Sequence, residues 1–266
     1  MTDTLYIYGV VRAGRTSMPT ALAPVGPTSG QVSLVAEGNV AALVSPLDSD
    51  QVRMTHENLE AHQAIVEASF SSGVTLPMRF GVVIDSAELL VDAFLGPQQT
   101  ELSSALDRFE DRSEMRVVAR YKGDAALKQA AAGSPRIRRL RERVSHRPEA
   151  ATYYDRIALG EEVLAALESV RSRDTEALSE RLRPFVVAER PLRRPDDETA
   201  CRLAYLVATA QLGSFDAELS KIGDEQHDRM DISVVGPLAP WDFVELGAGL
   251  PTPPRDRGNV NSGVAG

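Results

Sequence analysis

Two histidines and two glutamates stand close together in the order His56, Glu57, Glu60 and His62. The helical zinc motif of hydrolases places two histidines four positions apart, with a glutamate directly after the first. Here Glu60 takes the fourth position, and His62 falls well around a helix from His56. A metal-dependent hydrolase using His56, Glu60 and His62 is therefore an alternative hypothesis. The simpler interpretation is a helix start whose acidic residues complement its dipole, with His62 hydrogen-bonded on the apolar face.

Residues 74–83 read VTLPMRFGVV and combine an arginine with a strand pattern. Apolar side chains occupy every second position of this segment: Leu76, Met78, Phe80 and Val82. Period-two alternation predicts a strand with one buried face. Pro77 has no backbone N–H, so it places the strand at a sheet edge or a bulge. Gly81 permits close approach of another backbone.

Arg79 points away from the apolar face of this predicted strand and carries a fork of donors. One interpretation pairs its guanidinium with an internal carboxylate, that of Glu67 or Asp85, which fixes a helix on the strand. In the other interpretation, the guanidinium binds a carboxylate or backbone carbonyl groups of a partner protein. The sequence leaves both open.

A third chemical feature is a run of arginines in residues 136–147: Arg136, Arg138, Arg139, Arg141, Arg143 and Arg147. A nucleic-acid-binding regulator that acts through this run is a second alternative hypothesis. The run has little aromatic interleaving, and the chain has 29 Lys and Arg against 38 Asp and Glu, a net charge of −9. A solvated helical face that docks an acidic neighbour is the favoured interpretation.

Other catalytic motifs are absent from the sequence. It has no Gly-rich phosphate loop, no dinucleotide fingerprint and no Gly-x-Ser-x-Gly elbow, so we predict no enzyme and no cofactor. Cys201, the single cysteine, excludes an internal disulfide and lies in a helix-like pattern as a buried small residue. No signal sequence or long apolar run is present, which predicts a cytoplasmic protein. The acidic charge argues against binding to nucleic acid or to anionic membranes. Because no heptad run or large exposed apolar stripe is evident, we expect a monomer.

The elements that carry these residues follow from periodicity. Residues 5–11, 31–36 and 39–45 predict strands, and residues 57–70 and 86–109 predict helices on either side of the strand at 74–83. Strands mixed with helices in this order predict an α+β domain with a mixed or antiparallel sheet. We place this first domain at residues 1–110.

The pattern restarts after residue 111. Strands are predicted at 115–121, 184–188 and 230–235, a short strand or strap at 243–246, and helices at 124–133, 136–144, 151–182 and from about 197 to 215. This predicts a second α+β domain at 111–248, which we interpret as ferredoxin-like. Residues 249–266 are rich in Gly, Pro, Arg and Asn and predict a disordered tail.

Several of these segments together resemble one family. His62-x-x-Ile65-Val66-Glu67, followed by Leu76-Pro77-Met78-Arg79-Phe80-Gly81, is similar to a motif of the gas vesicle protein F/L family. The opening strand around Tyr8 and the segment Gly236-Pro237-Leu238-Ala239-Pro240-Trp241 resemble the family's first strand and closing segment. The resemblance also covers residues 204–207, which it places on a late helix.

The resemblance implies two α+β domains and a non-enzymatic accessory or minor structural protein of gas vesicles. It implies binding to the hydrophobic shell protein, and to other accessory proteins, in support of vesicle formation and buoyancy. We assign partner binding to Leu76, Pro77, Arg79, Phe80 and Gly81. Structural roles go to the remaining motif residues: Tyr8, His62, Glu67, Gly236, Pro237 and Trp241.

Overall fold

The protein consists of two α+β units. The computed structural model describes residues 4–15, 21–26, 30–48, 52–148 and 151–246. One unit comprises Met1–Glu110 with Ala239–Gly266, and the other comprises Asp111–Leu238. The division falls between Glu110 and Asp111. The assignment of 239–246 to the second domain is corrected, because the chain returns to the first unit at Ala239. The tail predicted at 249–266 lies outside the described residues.

The first unit is built on a five-stranded antiparallel sheet. Its strands are β1 (Leu5–Arg12), β2 (Ser33–Glu37), β3 (Val40–Pro46), β4 (Leu76–Pro77) and β5 (Val83–Ile84), and its helices are α1 (His56–Phe70), α2 (Ala87–Leu90) and α3 (Gly96–Phe109). The strand order is β2-β3-β1-β4, with β5 also paired to β1. A π-helical turn, Val91–Leu95, joins α2 to α3.

Local sequence explains these elements. Tyr6 and Tyr8 lie on one face of β1 and pack in a core cluster with Ile65 and Val66 of α1. The hydroxyl of Thr55 accepts the N–H of Asn58 and caps the start of α1. Ser86 caps α2 in the same way, accepting the N–H of Leu89. The predicted hairpin turns at Gly38, whose φ is +57°.

The predicted single strand at 74–83 is interrupted. Its ends pair with β1 as β4 and β5, while Phe80 and Gly81 form a turn between them. The interruption follows from Pro77, which lacks a donor, and from Gly81, whose φ of +89° leaves the extended region. The expectation that Pro77 marks an edge strand is confirmed, because β4 ends the strand order.

The second unit has a four-stranded antiparallel sheet in the order β7-β8-β6-β9. Its strands are β6 (Arg112–Tyr121), β7 (Ala188–Pro191), β8 (Thr199–Ala208) and β9 (Met230–Leu238), and its helices are α4 (Ala125–Gly133), α5 (Pro135–Ser145), α6 (Tyr153–Leu182) and α7 (Leu212–Gln226). The strand order matches a ferredoxin-like unit. All three neighbouring pairs are antiparallel, as in a ferredoxin-like sheet, where each pair of strands joined by a helical connection is split by an inserted strand.

The helix predicted from about residue 197 to 215 is wrong in its first half. Residues 199–208, which include Cys201 and the segment 204–207, form the central strand β8. Nearly every residue of β8 is buried, so its side chains make a continuous apolar run without period-two alternation. Such a run reads equally well as a buried helix, and pairing with β6 and β7 decides the outcome.

Two smaller predictions also change. The strand predicted at 184–188 is a 3-10 turn, Arg183–Phe185, followed by β7 at Ala188–Pro191. Pro184 ends α6 and cannot donate to a ladder, which moves the strand further along the chain. The last strand, predicted at 243–246, is irregular chain that follows a turn at 241–243.

Candidate functional site

The segment Leu76–Pro77 lies unusually close to β1. A Cβ atom on Gly9 would stand 2.5 Å from the carbonyl oxygen of Leu76. Gly9 is therefore the glycine that permits the close approach expected at Gly81, and Gly81 instead forms the turn. Because Pro77 has no donor, the N–H of Met78 supplies the next bond and donates to the Tyr8 carbonyl oxygen at 2.8 Å.

His62 is buried beneath this segment with both ring nitrogens bonded. Its Nε2 lies 3.1 Å from the Met78 carbonyl oxygen, which only accepts, so Nε2 carries the proton. Nδ1 then accepts the hydroxyl of Tyr6 at 2.8 Å, and the Tyr6 oxygen accepts the N–H of Gly81 at 3.1 Å. Burial lowers the pKa of His62 to about 4, so the ring is neutral near pH 7.

The closing segment of the chain is fixed by Glu67. One carboxylate oxygen accepts the indole N–H of Trp241 at 2.5 Å, and the other accepts the N–H of Ala239 at 3.0 Å. The ring of Trp241 lies 5.5 Å from that of His62, between centroids. We call Tyr6, Tyr8, His62, Glu67 and Trp241 the motif network.

The partner-binding residues predicted from sequence separate into two groups. Leu76 and Pro77 are buried, and the half-buried ring of Phe80 contacts the rings of Tyr6 and His62. Arg79 is exposed, and no described residue forms an ion pair or hydrogen bond with it. Its predicted pairing with Glu67 or Asp85 is therefore wrong.

The structural residues of the closing motif lie in two places. Gly236 and Pro237 are near the end of β9, where their peptide bond is cis. Trp241 belongs to the motif network. The Tyr8 hydroxyl, at the other end of the network, accepts the N–H of Val25 and bonds the hydroxyl of Ser45 at 2.9 Å.

The sequence pattern that suggested a metal does not assemble. The Nε2 of His56 lies 3.0 Å from a carboxylate oxygen of Glu60, an exposed contact between residues one turn apart on α1. His62 is committed to Tyr6 and Met78 inside the core. Among the described residues, no group of three or more His, Cys, Asp or Glu side chains is placed to hold a metal ion.

The arginines of α5 have two different environments. Arg136 pairs with Glu162 at 3.2 Å, and Arg143 pairs with Asp155 at 3.1 Å, so both attach α5 to α6. Arg138 and Arg141 are exposed, and within the described part of the chain neither guanidinium group has an ion-pair or hydrogen-bond partner.

One exposed apolar feature of the described residues was missed by the sequence reasoning. Tyr153, Ile157 and Leu164 of α6 are 62%, 45% and 67% exposed. With Gly160 they lie within about 60° of the helix circumference, and we call these four residues the exposed stripe. Apolar residues occur all around this half of α6, so periodicity alone did not separate the packed face from the free one.

The exposed stripe lies opposite the packed side of α6. Asp155 and Glu162, which form the ion pairs with α5, are about half a turn around the helix from Ile157 and Leu164. No helix in the described residues is long and apolar enough to cross a membrane. Together these features define the class of protein: a two-unit α+β protein in which the residues of the motif network support the fold, and those of the exposed stripe are accessible to a partner.

Comparison with known proteins gives the family. The sequence profile of the gas vesicle synthesis protein GvpL/GvpF family matches residues 4–245. Gas vesicle protein F of Streptomyces sp. (strain CB03234) is 30% identical over 243 residues, which cover 90% of this chain and 99% of that protein. The chain therefore belongs to the GvpL/GvpF family and is a non-enzymatic protein with a gas vesicle role.

Solved structures show the same fold. The crystal structure of GvpF from Anabaena sp. PCC7120 aligns with a TM-score of 0.79 at 19% identity, covering 92% of this chain and all of that one. GvpF from Microcystis aeruginosa aligns with a TM-score of 0.75, also at 19% identity and with the same coverage. The predicted α+β class is confirmed, and the hydrolase and nucleic-acid alternatives find no support in these relatives.

Proposed function

We propose that the chain is an accessory or minor structural protein that binds the hydrophobic gas vesicle shell protein in the cytoplasm and supports vesicle formation. The family gives the gas vesicle role. The observation that carries shell binding is the exposed stripe, because it leaves large apolar side chains in water on the unpacked side of α6.

The physical argument rests on apolar area. Side chains such as Ile157 and Leu164 gain roughly 25 cal/mol for each Å² removed from water. Contiguous apolar patches on a protein surface mark interaction sites, whereas scattered single residues do not. Gly160 lies between these side chains and has no side chain of its own, so an apolar partner segment can approach the helix backbone there.

The turn Arg79–Phe80–Gly81 remains a second proposed contact. Arg79 is exposed and presents its donors without a described internal acceptor. A partner's carboxylate or carbonyl groups fit this fork. The proposed surface at Leu76–Gly81 is thereby narrowed to the turn, since the side chains of Leu76 and Pro77 are buried.

The test is co-expression with a gas vesicle shell protein, followed by affinity capture of this chain. We expect the shell protein to remain soluble and to co-elute with the wild type. Ile157→Glu with Leu164→Glu should reduce the captured shell protein at least tenfold. Met54→Glu is the control, because Met54 is an exposed apolar residue (75%) outside the stripe.

The possible outcomes distinguish direct shell binding from the choice between the two proposed contact surfaces. A well-folded wild type that captures no shell protein contradicts direct binding. Capture that survives the double substitution contradicts the stripe, and loss in Arg79→Ala with Phe80→Ala then places the contact at the turn.

A further inference from the structure

The second unit contains an open groove of about 650 Å³ between α4, α5 and α6. Its apolar lining residues are Ala131, Ala132, Ile137, Val144 and Leu159, and its polar ones are Arg138, Arg141, Glu142 and Ser145. We call this the α4–α5 groove. It lies on a different side of α6 from the exposed stripe, because Leu159 is more than a third of a turn from Ile157 and Leu164.

The groove is a basic site on an acidic protein. The chain carries a net charge of −9, yet α5 has five arginines and a single glutamate. Two of those arginines are neutralised by Asp155 and Glu162 of α6. Arg138 and Arg141, one turn apart at the groove, have no such partner in the described residues, so their charge faces outward.

The apolar floor has helical spacing. Ile137 and Val144 are seven residues apart on α5, which corresponds to two turns and about 10.5 Å along the axis. A helix laid in a groove presents its anchors at this i, i+7 spacing. A partner that places apolar side chains on this floor and carboxylates against Arg138 and Arg141 is an acidic amphipathic helix.

We propose that the α4–α5 groove binds an acidic amphipathic helix of a partner protein. Apolar residues of that helix pack on Val144, Leu159 and the two alanines, above the buried Ile137. Its carboxylates accept from Arg138 and Arg141, whose planar guanidinium groups bind carboxylates in pairs of hydrogen bonds. This inference does not depend on shell binding by the exposed stripe.

A nucleic acid is the competing occupant, and the groove disfavours it. Its floor is apolar without aromatic rings for base stacking, and Glu142 stands beside the two arginines. The net charge of the whole chain also repels a polyanion.

The experiment is fluorescence anisotropy with the full chain and a labelled peptide. The probe is a peptide of about 16 residues, with leucines at helical spacing flanked by glutamates. A peptide of the same leucines with lysines in place of the glutamates, and a duplex DNA of mixed sequence, are the comparison ligands. We expect saturable binding of the glutamate peptide only, weakened as salt rises, because the contact is partly ionic.

Matched variants locate the binding. Arg138→Glu with Arg141→Glu should weaken it at least tenfold, whereas Arg139→Glu, on the same helix but outside the groove lining, should change it less than twofold. Ala132→Trp fills the groove with no change of charge and should also abolish binding. All four substituted residues are exposed, and circular dichroism checks the folding of each variant.

The overturning results are equally defined. The inference fails if the glutamate peptide does not bind, or if it binds the Arg138→Glu/Arg141→Glu variant as well as the wild type. It also fails if the lysine peptide binds equally, or if duplex DNA binds at the groove in preference to the peptide.

Discussion

The motif network of the first unit and the helices α4 to α6 of the second use their distinctive residues in opposite ways. In the network, His62 has both ring nitrogens bonded, and Glu67 accepts from two donors. On α5 and α6, Arg138 and Arg141 face outward without partners in the described chain, and Ile157 and Leu164 are exposed.

The difference shows where the recognisable residues are used. The network joins β1, α1, the turn after β4 and the closing segment, so its side chains must have particular donors and acceptors at particular places. A surface that binds an apolar or acidic partner needs only apolar area or positive charge, which many residues supply. The specific motif therefore reports the fold of the first unit, and the contact surfaces are sought elsewhere.

The largest expected effect is in the approach of β1 to Leu76. Gly9→Ala puts a Cβ 2.5 Å from a backbone oxygen that has no rotamer with which to yield. We expect a loss of about 3 kcal/mol in the free energy of unfolding, measured in urea. Gly223→Ala in α7, where nothing lies within 4 Å of the new atom, is the control and should not destabilise. Equal stability of the two variants would contradict the close approach.

The second effect is the pH dependence that His62 creates. The pKa of His62 is about 4 in the folded protein and 6.5 in the unfolded chain. Between pH 4 and pH 6.5, therefore, the unfolded chain binds a proton at His62 that the folded protein does not bind. Its stabilising contribution is complete above pH 6.5 and is lost as the pH falls towards 4. From pH 7 to 5 the loss is about 2 kcal/mol.

The measurement compares the pH slope of the unfolding free energy in the wild type and in His62→Gln. The variant cannot take up this proton, so its slope between pH 7 and 5 should be shallower. Parallel slopes would show that His62 is not held neutral by burial.

The sequence predicts much of this fold where periodicity is unambiguous. The periodicity of residues 5–11, 31–36, 39–45 and 57–70 places most of the first unit near its observed bounds. It fails at residues 199–208, because a strand buried on both faces has no alternation to read. Periodicity reports only on the segment itself, whereas at residues 199–208 pairing with the neighbouring strands β6 and β7 determines that the segment is a strand.

The candidate sites are less predictable for a similar reason. Arg79 was correctly placed outside the core, but the donors to the Glu67 carboxylate proved to lie in the distant segment at Ala239 and Trp241, which no local pattern indicates. Likewise, α6 has apolar residues around its first half, and only its packing with α5 shows that Ile157 and Leu164 are left exposed.

A smaller effect tests the Glu67 connection directly. Glu67→Gln keeps one acceptor oxygen but replaces the other with an amide N–H group, so one of the two donors loses its bond. We expect a loss of about 1.5 kcal/mol and a red shift of the fluorescence of Trp241, the only tryptophan. Glu60→Gln, exposed on the same helix, should leave the emission unchanged. An unshifted emission maximum in Glu67→Gln would show that the hydrogen bond between Glu67 and Trp241 does not hold the indole ring in place.

The smallest effect on stability, and the sharpest test of the comparison, is on the exposed stripe. Ile157 and Leu164 already face water, so Ile157→Glu with Leu164→Glu should change the free energy of unfolding by less than about 0.5 kcal/mol. The same substitutions should reduce capture of the shell protein at least tenfold, whereas Glu67→Gln should lower stability and leave capture by the folded protein intact. Thermal unfolding measures the stability of both variants, and affinity capture measures how much shell protein each one binds. If the stripe variant instead unfolds as readily as the network variant, these side chains support the fold, and the division between buried motif and exposed contact surface fails.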